Sequence, residues 1–257
     1  MLLAIDIGNT GINLGIFDDD KLKATWRLAT EIHRLADEYG ALLLTLLHHQ
    51  RLPSSKVTGA ALCSVVPPLV PVFQEVCQKY FSTSPLVVEA GIKTGVRICV
   101  DNPRELGSDR VVNAVAAHHL YGEPIIVIDF GTATTFDVIS KEGDYLGGAI
   151  TPGINIASEA LFTHTAMLPR IRLTLPKQAV GKNTISAMQS GIIFGYIGLI
   201  ESMIQRIEQE LGSKAKVVAT GGYAYPLAKE IPTIEIINPD LPLIGLRLIH
   251  EMNKLEQ

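Results

Sequence analysis

The sequence predicts an α/β fold built from one unit used twice. An apolar strand running into Asp6-Ile7-Gly8-Asn9 recurs as an apolar strand running into Asp129-Phe130-Gly131-Thr132, with no gap between the aligned motifs. Each copy then continues as strand, polar turn, strand, so the turn at residues 18–21 falls over the turn at 140–144. Helical patterns fill the intervals, and no low-complexity segment or long Pro/Gly/Ser linker interrupts them. Self-similarity of this kind is the mark of an internal duplication. It divides the 257 residues into an N-terminal domain over 1–117 and a C-terminal domain over 118–257 that pack closely.

The elements follow in order. Residues 1–8, 12–17 and 22–28 read as three strands joined by tight turns, an antiparallel meander. Residues 35–49 have helical apolar spacing, 57–66 form a buried strand stopped by Pro67-Pro68, and a helix runs on to about Phe81. Residues 86–89 and 96–100 are short strands, and 108–120 a helix with Ser108 as N-cap. In the second copy, 125–130, 134–140 and 145–150 repeat the meander. Pro152-Gly153 opens a helix to about His164, and 184–211 is a long, mainly apolar helix. A strand at 217–219 ends in Thr220-Gly221-Gly222. A strand at 234–237 and an amphipathic helix at 243–255 close the chain.

Composition narrows the function. Hydrophobic residues make up 47% and charged residues 19%, enough apolar material for a buried core, which excludes a disordered chain. The net charge is −4 and no stretch concentrates Lys and Arg, so neither a nucleic-acid groove nor a membrane-binding patch is expected. Apolar runs such as 192–200 are too short to span a bilayer. The N-terminus reaches Asp6 without a basic region, unlike a secretory signal, so a cytoplasmic location is expected. Cys63, Cys77 and Cys99 form no CxxC and read as buried reduced thiols. The seven histidines show no HExxH spacing, so a zinc site built from protein ligands alone is not expected.

The paired Asp-x-Gly turns carry the chemistry. Glycine lets the backbone turn tightly and approach a phosphate, whose oxygens the exposed N–H groups can cradle, while the aspartate can hold a cation. Two such turns, one per half, can face each other across a cleft, and Thr220-Gly221-Gly222 offers close approach to an adenine. The chain has no GxxxxGK[ST] and no GxG, so P-loop, Rossmann and protein-kinase glycine loops are excluded.

Four strings extend this reading: Asp6-Ile7-Gly8-Asn9-Thr10; Asp101-Asn102-Pro103-Arg104-Glu105-Leu106-Gly107-Ser108-Asp109-Arg110; Asp129-Phe130-Gly131-Thr132-Ala133-Thr134-Thr135-Phe136-Asp137; and Gly147-Gly148-Ala149-Ile150-Thr151-Pro152-Gly153. Together they resemble the actin, hexokinase and acetate-kinase superfamily of duplicated ribonuclease-H-like domains, and more closely the type III pantothenate kinases. The resemblance covers nearly the whole chain. It implies ATP-dependent phosphorylation of the primary hydroxyl of pantothenate, the first step of coenzyme A biosynthesis, by a homodimer whose substrate pocket borrows residues from the partner.

The resemblance also implies roles. Asp6, Ile7, Gly8, Asn9, Thr10, Gly11, Ile12 and Asn13 form the first phosphate loop, with Asp6 a candidate to hold Mg2+ on the ATP phosphates, and Thr132 belongs to the second loop. Asp129 would hold a monovalent cation, K+ or NH4+. Val100, Gly107, Ser108, Asp109, Arg110 and Thr184 would meet pantothenate, with Asp109 as general base and Arg110 on the substrate carboxylate. Val100 stands where relatives often carry an aromatic residue, and Gly11 where they often carry a polar one. Each role has a plainer counterpart: Asp6 and Asp129 as turn caps, Asp109 as a helix-dipole partner, Arg110 paired with Glu105 or Asp101, Thr184 as a helix cap. Asp137 and Asn113 read equally well as structural. Two rival functions fit the same fold, a kinase for another small substrate and a non-catalytic regulator. The Gly-Ser-Asp-Arg string and the intact Asp109 weigh against both.

Overall fold

A computed structural model describes residues 1–122 and 124–254. Two compact units emerge: residues 1–120 with 240–257, and residues 121–239.

The first unit holds the sheet of β1 (Leu2–Ile7), β2 (Gly11–Asp18), β3 (Lys21–Ala29), β4 (Gly59–Ser64) and β5 (Leu86–Val87), in the order β3-β2-β1-β4-β5. β1 runs antiparallel to β2 and parallel to β4. Because β1 is central, both its faces are covered and it reads as a nearly unbroken apolar run up to Asp6. Edge strand β3 alternates exposed and half-buried residues instead, with Trp26 and Leu28 against the core. Helices α1 (Ala36–His49) and α2 (Leu69–Phe81) pack on the sheet through Tyr39, Leu43, Phe73 and Val76. Helix α3 (Ser108–Tyr121) follows a single 3-10 turn at Pro103–Glu105.

The second unit repeats the plan. Its strands β6 (Ile125–Phe130), β7 (Ala133–Ile139), β8 (Tyr145–Pro152), β9 (Lys216–Thr220) and β10 (Ile236–Ile237) lie in the order β8-β7-β6-β9-β10, the first sheet's order position for position. Helices α4 (Ile154–Thr163) and α5 (Thr184–Leu211) join its core. By length and composition alone the 28-residue α5 is apolar enough to cross a membrane, but its Ile193, Tyr196, Ile200 and Ile204 belong to the core of this unit. A short helix, α6 (Ala224–Ala228), lies where no helix was expected.

Three expectations need correction. The final helix α7 (Leu241–Lys254) packs on β1, β2 and β4, with Gly245 against the backbone of Val112. The chain therefore returns to its first unit, and 118–257 is not one continuous unit. Residues 96–100 form no strand; Ile98 makes only an isolated bridge, and the Thr94 hydroxyl closes a turn on Val96. Cys63 and Cys77 are buried as expected, whereas Cys99 is exposed.

Candidate active site

In the first unit, register alone assembles a row of polar side chains. Cys63 of β4 stands opposite Asp6 of β1, Asp6 opposite Asn13 of β2, and Asn13 opposite Arg27 of β3. Directly opposed residues share one face of a sheet. Asp6 is 8% exposed and held from both sides: Asn13 Nδ2 donates to Oδ2 at 2.8 Å and Cys63 Sγ donates to Oδ1 at 3.3 Å. Burial pushes the Asp6 carboxyl up to about 6. The two donors and Arg27 pull it down, and the charge of Asp109 adds to the rise. The Cys63 thiol, between Asp6 and Asp109 in its electrostatics and fully buried, is raised well above its ordinary value, which keeps it a hydrogen-bond donor rather than a nucleophile.

The remaining first-loop residues form the turn from β1 to β2. Gly8 N–H donates to Gly11 C=O at 3.0 Å, and the loop is tied to the end of β3 by Thr30, whose hydroxyl donates to Gly8 C=O at 2.7 Å. Asn9 and Thr10 are exposed at the tip, while Ile7 and Ile12 are buried beneath it.

The Gly107-Ser108-Asp109-Arg110 string opens α3 beside this row. Ser108 is not the N-cap. It is the first helical residue, and its hydroxyl bridges to β4, accepting from Ser64 N–H and donating to Ser64 C=O, both at 3.1 Å. Gly107 C=O accepts the first helical N–H groups, those of Arg110 and Val111. Ser64 follows Cys63, so this pair of hydrogen bonds locks the helix start to the strand carrying the partner of Asp6. Asp109 Oδ1 accepts from Arg110 N–H at 2.8 Å. The helix start and Arg110 favour its charged form, as expected, but burial outweighs them and raises its pKa. Glu105 is engaged by Asn102 Nδ2 at 2.6 Å. Val100 lies half-buried in the irregular segment before the 3-10 turn. Asn113 is buried in α3.

In the second unit, Asp129 and Thr132 flank the β6–β7 turn. Gly131 N–H donates to Ala133 C=O at 3.1 Å, and Thr132 C=O accepts from Gly153 N–H at 3.1 Å, joining the turn to the start of α4. Gly221, at φ +91°, lies against the Asp129 carboxylate and the Phe130 backbone, so any side chain there would collide. Thr184 is the exposed first residue of α5; its neighbour Asn183 is the cap, accepting from Ser186 N–H at 2.9 Å. Asp137 is fully buried and accepts from Tyr145 (2.7 Å) and Thr135 (3.1 Å), a structural network within the sheet.

A family model for type III pantothenate kinase matches residues 2–206. The chain belongs to the type III pantothenate kinase family. A member from Dehalococcoides mccartyi strain CBDB1 is 53% identical over 254 residues, covering 99% of this chain and 97% of its own. One from strain BAV1 is 52% identical over the same shares. Among solved structures, a Baf family protein from Campylobacter jejuni matches with TM-score 0.64 at 22% identity, over 98% of this chain and 99% of that one. An inorganic polyphosphate/ATP-glucomannokinase from Arthrobacter sp. strain KM matches with TM-score 0.51 at 14% identity, over 100% and 99%. These two likenesses establish the fold, the duplicated actin/hexokinase type.

Two residues of the site escaped the sequence reading. Cys63 sits in an apolar run with nothing to single it out, and only the parallel register of β4 on β1 brings it to Asp6. Arg27 lies in an alternating edge strand, where an arginine reads as ordinary solvent-facing polarity.

Proposed function

We propose that this protein transfers the terminal phosphoryl group of ATP to the primary hydroxyl of pantothenate, yielding 4'-phosphopantothenate for coenzyme A synthesis. Identity of 53% across almost the full length of a type III pantothenate kinase carries the reading, and the clustering of Asp6 and Asp109 in one unit supports it. Phosphoryl transfer asks for positioning and charge neutralisation more than covalent chemistry. Within the loop from Asp6 to Asn13, the exposed tip at Asn9 and Thr10 is the part that meets the ATP phosphates. Asp109 accepts the hydroxyl proton as the new P–O bond forms, and its burial makes it a better base than an ordinary aspartate. Arg110 takes the substrate carboxylate, with Gly107, Ser108, Val100 and Thr184 as further contacts.

The donor sets fit the expected ions. Mg2+ that arrives on ATP would take one carboxylate, Asp6, plus phosphate oxygens. Asp129, one carboxylate beside turn carbonyls, suits K+ or NH4+. When bound, these ions offset phosphate charge. We further propose a cytoplasmic homodimer. Gly191, Gly195 and Gly198 recur along one exposed stripe of α5 with no atom within 4 Å of where their side chains would stand, leaving room for close approach of a second helix. The deciding experiment is phosphate transfer from ATP to pantothenate, with and without K+. ADP release that pantothenate does not stimulate would overturn the proposal.

A further inference from the structure

Gly11 opens β2, and the space its side chain would fill is occupied from the neighbouring strand. A Cβ there would stand 2.7 Å from Arg27 Nε and 3.1 Å from Nη2. Arg27 itself is exposed, and among the described residues no carboxylate pairs with it. It ends the row Cys63–Asp6–Asn13–Arg27, and its charge reaches Asp6. Three residues further along β3's path, Thr30 bonds Gly8 C=O and Thr10 C=O, so the strand carrying Arg27 is fastened to the loop.

We propose that Arg27 is a contact for the phosphoryl donor, its guanidinium binding the polyphosphate of ATP at the first loop, and that the missing side chain at Gly11 is what admits it. This rests on the reading of that loop as the ATP site. A guanidinium presents a planar fork of donors matched to two phosphate oxygens, and it stays charged at every working pH. An unpaired arginine laid along a phosphate-type turn brings positive charge where the N–H groups supply only partial charge.

The test combines kinetics with a binding readout. Arg27→Ala should raise KM for ATP about tenfold or more, leave KM for pantothenate unchanged and keep kcat within about threefold. Arg27→Lys, charged but without the fork, should recover part of the loss. Gly11→Ala retains the arginine but pushes its guanidinium aside, and should also raise KM for ATP. Thermal protection by inorganic tripolyphosphate, measured without turnover, should be present in the wild type and weakened in Arg27→Ala. If Arg27→Ala keeps both KM for ATP and the protection while Asp6→Asn weakens ATP binding by calorimetry, the Arg27 assignment is wrong and the loop assignment stands. If the loss falls on kcat or on pantothenate, Arg27 serves only to balance Asp6. If the wild type shows no protection and Asp6→Asn binds ATP as tightly as the wild type by calorimetry, the loop assignment itself fails and Arg27 falls with it.

Discussion

The turns after β1 and β6 hold matching places in two sheets of identical strand order, yet they are built differently. In the first, Ile7 pairs with Ile12; in the second, Phe130 pairs with Thr134, one residue sooner. Asp6 is buried between an amide and a thiol, with a second carboxylate and a guanidinium acting on it. Asp129 is part-exposed and is backed by a bare backbone at Gly221. The loops that follow the parallel neighbours β4 and β9 differ to match: Ser64 is engaged by the start of α3, whereas Thr220 leads into the glycine pair. Duplication thus conserves the frame and frees the turns. In the function proposed above, the wider turn takes the reacting groups and the tighter one the monovalent ion.

The comparison breaks most visibly at Asp109, which gives the first unit a second carboxylate beside the turn. Asp109→Asn keeps size and the acceptor for Arg110 N–H but removes basicity. General-base contributions run from about 100- to 10,000-fold. Turnover should fall by that order, with KM for ATP nearly unchanged. A folded variant with near-normal kcat would make Asp109 a helix-start residue and leave Asp6 as the remaining base.

Exchanging the same atom in each turn sharpens the contrast. Asp129→Asn should keep the fold and lose the K+ stimulation of kcat, whereas Asp6→Asn should lose turnover at every K+ concentration. An unchanged K+ response in Asp129→Asn removes the ion from this turn. Gly221→Ala tests the backing of Asp129 from behind. At φ +91° an alanine is strained, by roughly 1–3 kcal/mol, and its Cβ would meet Phe130 N at 2.7 Å. Thermal stability should drop by several degrees and KM for ATP should rise. Wild-type values would mean that the backbone there yields freely.

Much of this asymmetry was out of reach of the sequence, for identifiable reasons. Strands and turns of both sheets are local features, written in apolar runs that stop at Asp-x-Gly, and they emerge within a residue or two. Helix α5 begins at Thr184 because Asn183 caps it, a signal held within four residues. What failed to show were long-range pairings: Cys63 meets Asp6 across 57 positions, Ser108 meets Ser64 across 44, and α7 returns to β1 from the far end of the chain. Ser108 had the composition of an N-cap, and tertiary bonding gave its hydroxyl another partner. Asp109 had the setting of an ionised helix-start carboxylate, and burial, which no local pattern encodes, outweighed it.

The smallest expected effect bears on what the burial of Asp6 costs. In the unfolded chain its carboxyl titrates near 3.8, and in the native protein at about 6. Below pH 4 it is protonated in both states and the native fold bears no penalty. Between about pH 4 and 6 the unfolded state loses the proton first, so the native state binds more protons and stability falls as pH rises. Above pH 6 the penalty levels off at roughly 3 kcal/mol. Asp6→Asn cannot ionise, so it should be the more stable protein at pH 7.5, by about 1–3 kcal/mol. Its advantage is reduced because an asparagine amide cannot accept from both Asn13 and Cys63 with oxygen. At pH 4.5 the difference should shrink or reverse. Urea unfolding of both proteins at the two pH values measures it, and taking the difference cancels the carboxylates they share. A gap that does not change with pH would show that Asp6 is ionised in the native state without cost. The first turn would then lack the buried, destabilised carboxylate that distinguishes it from the second.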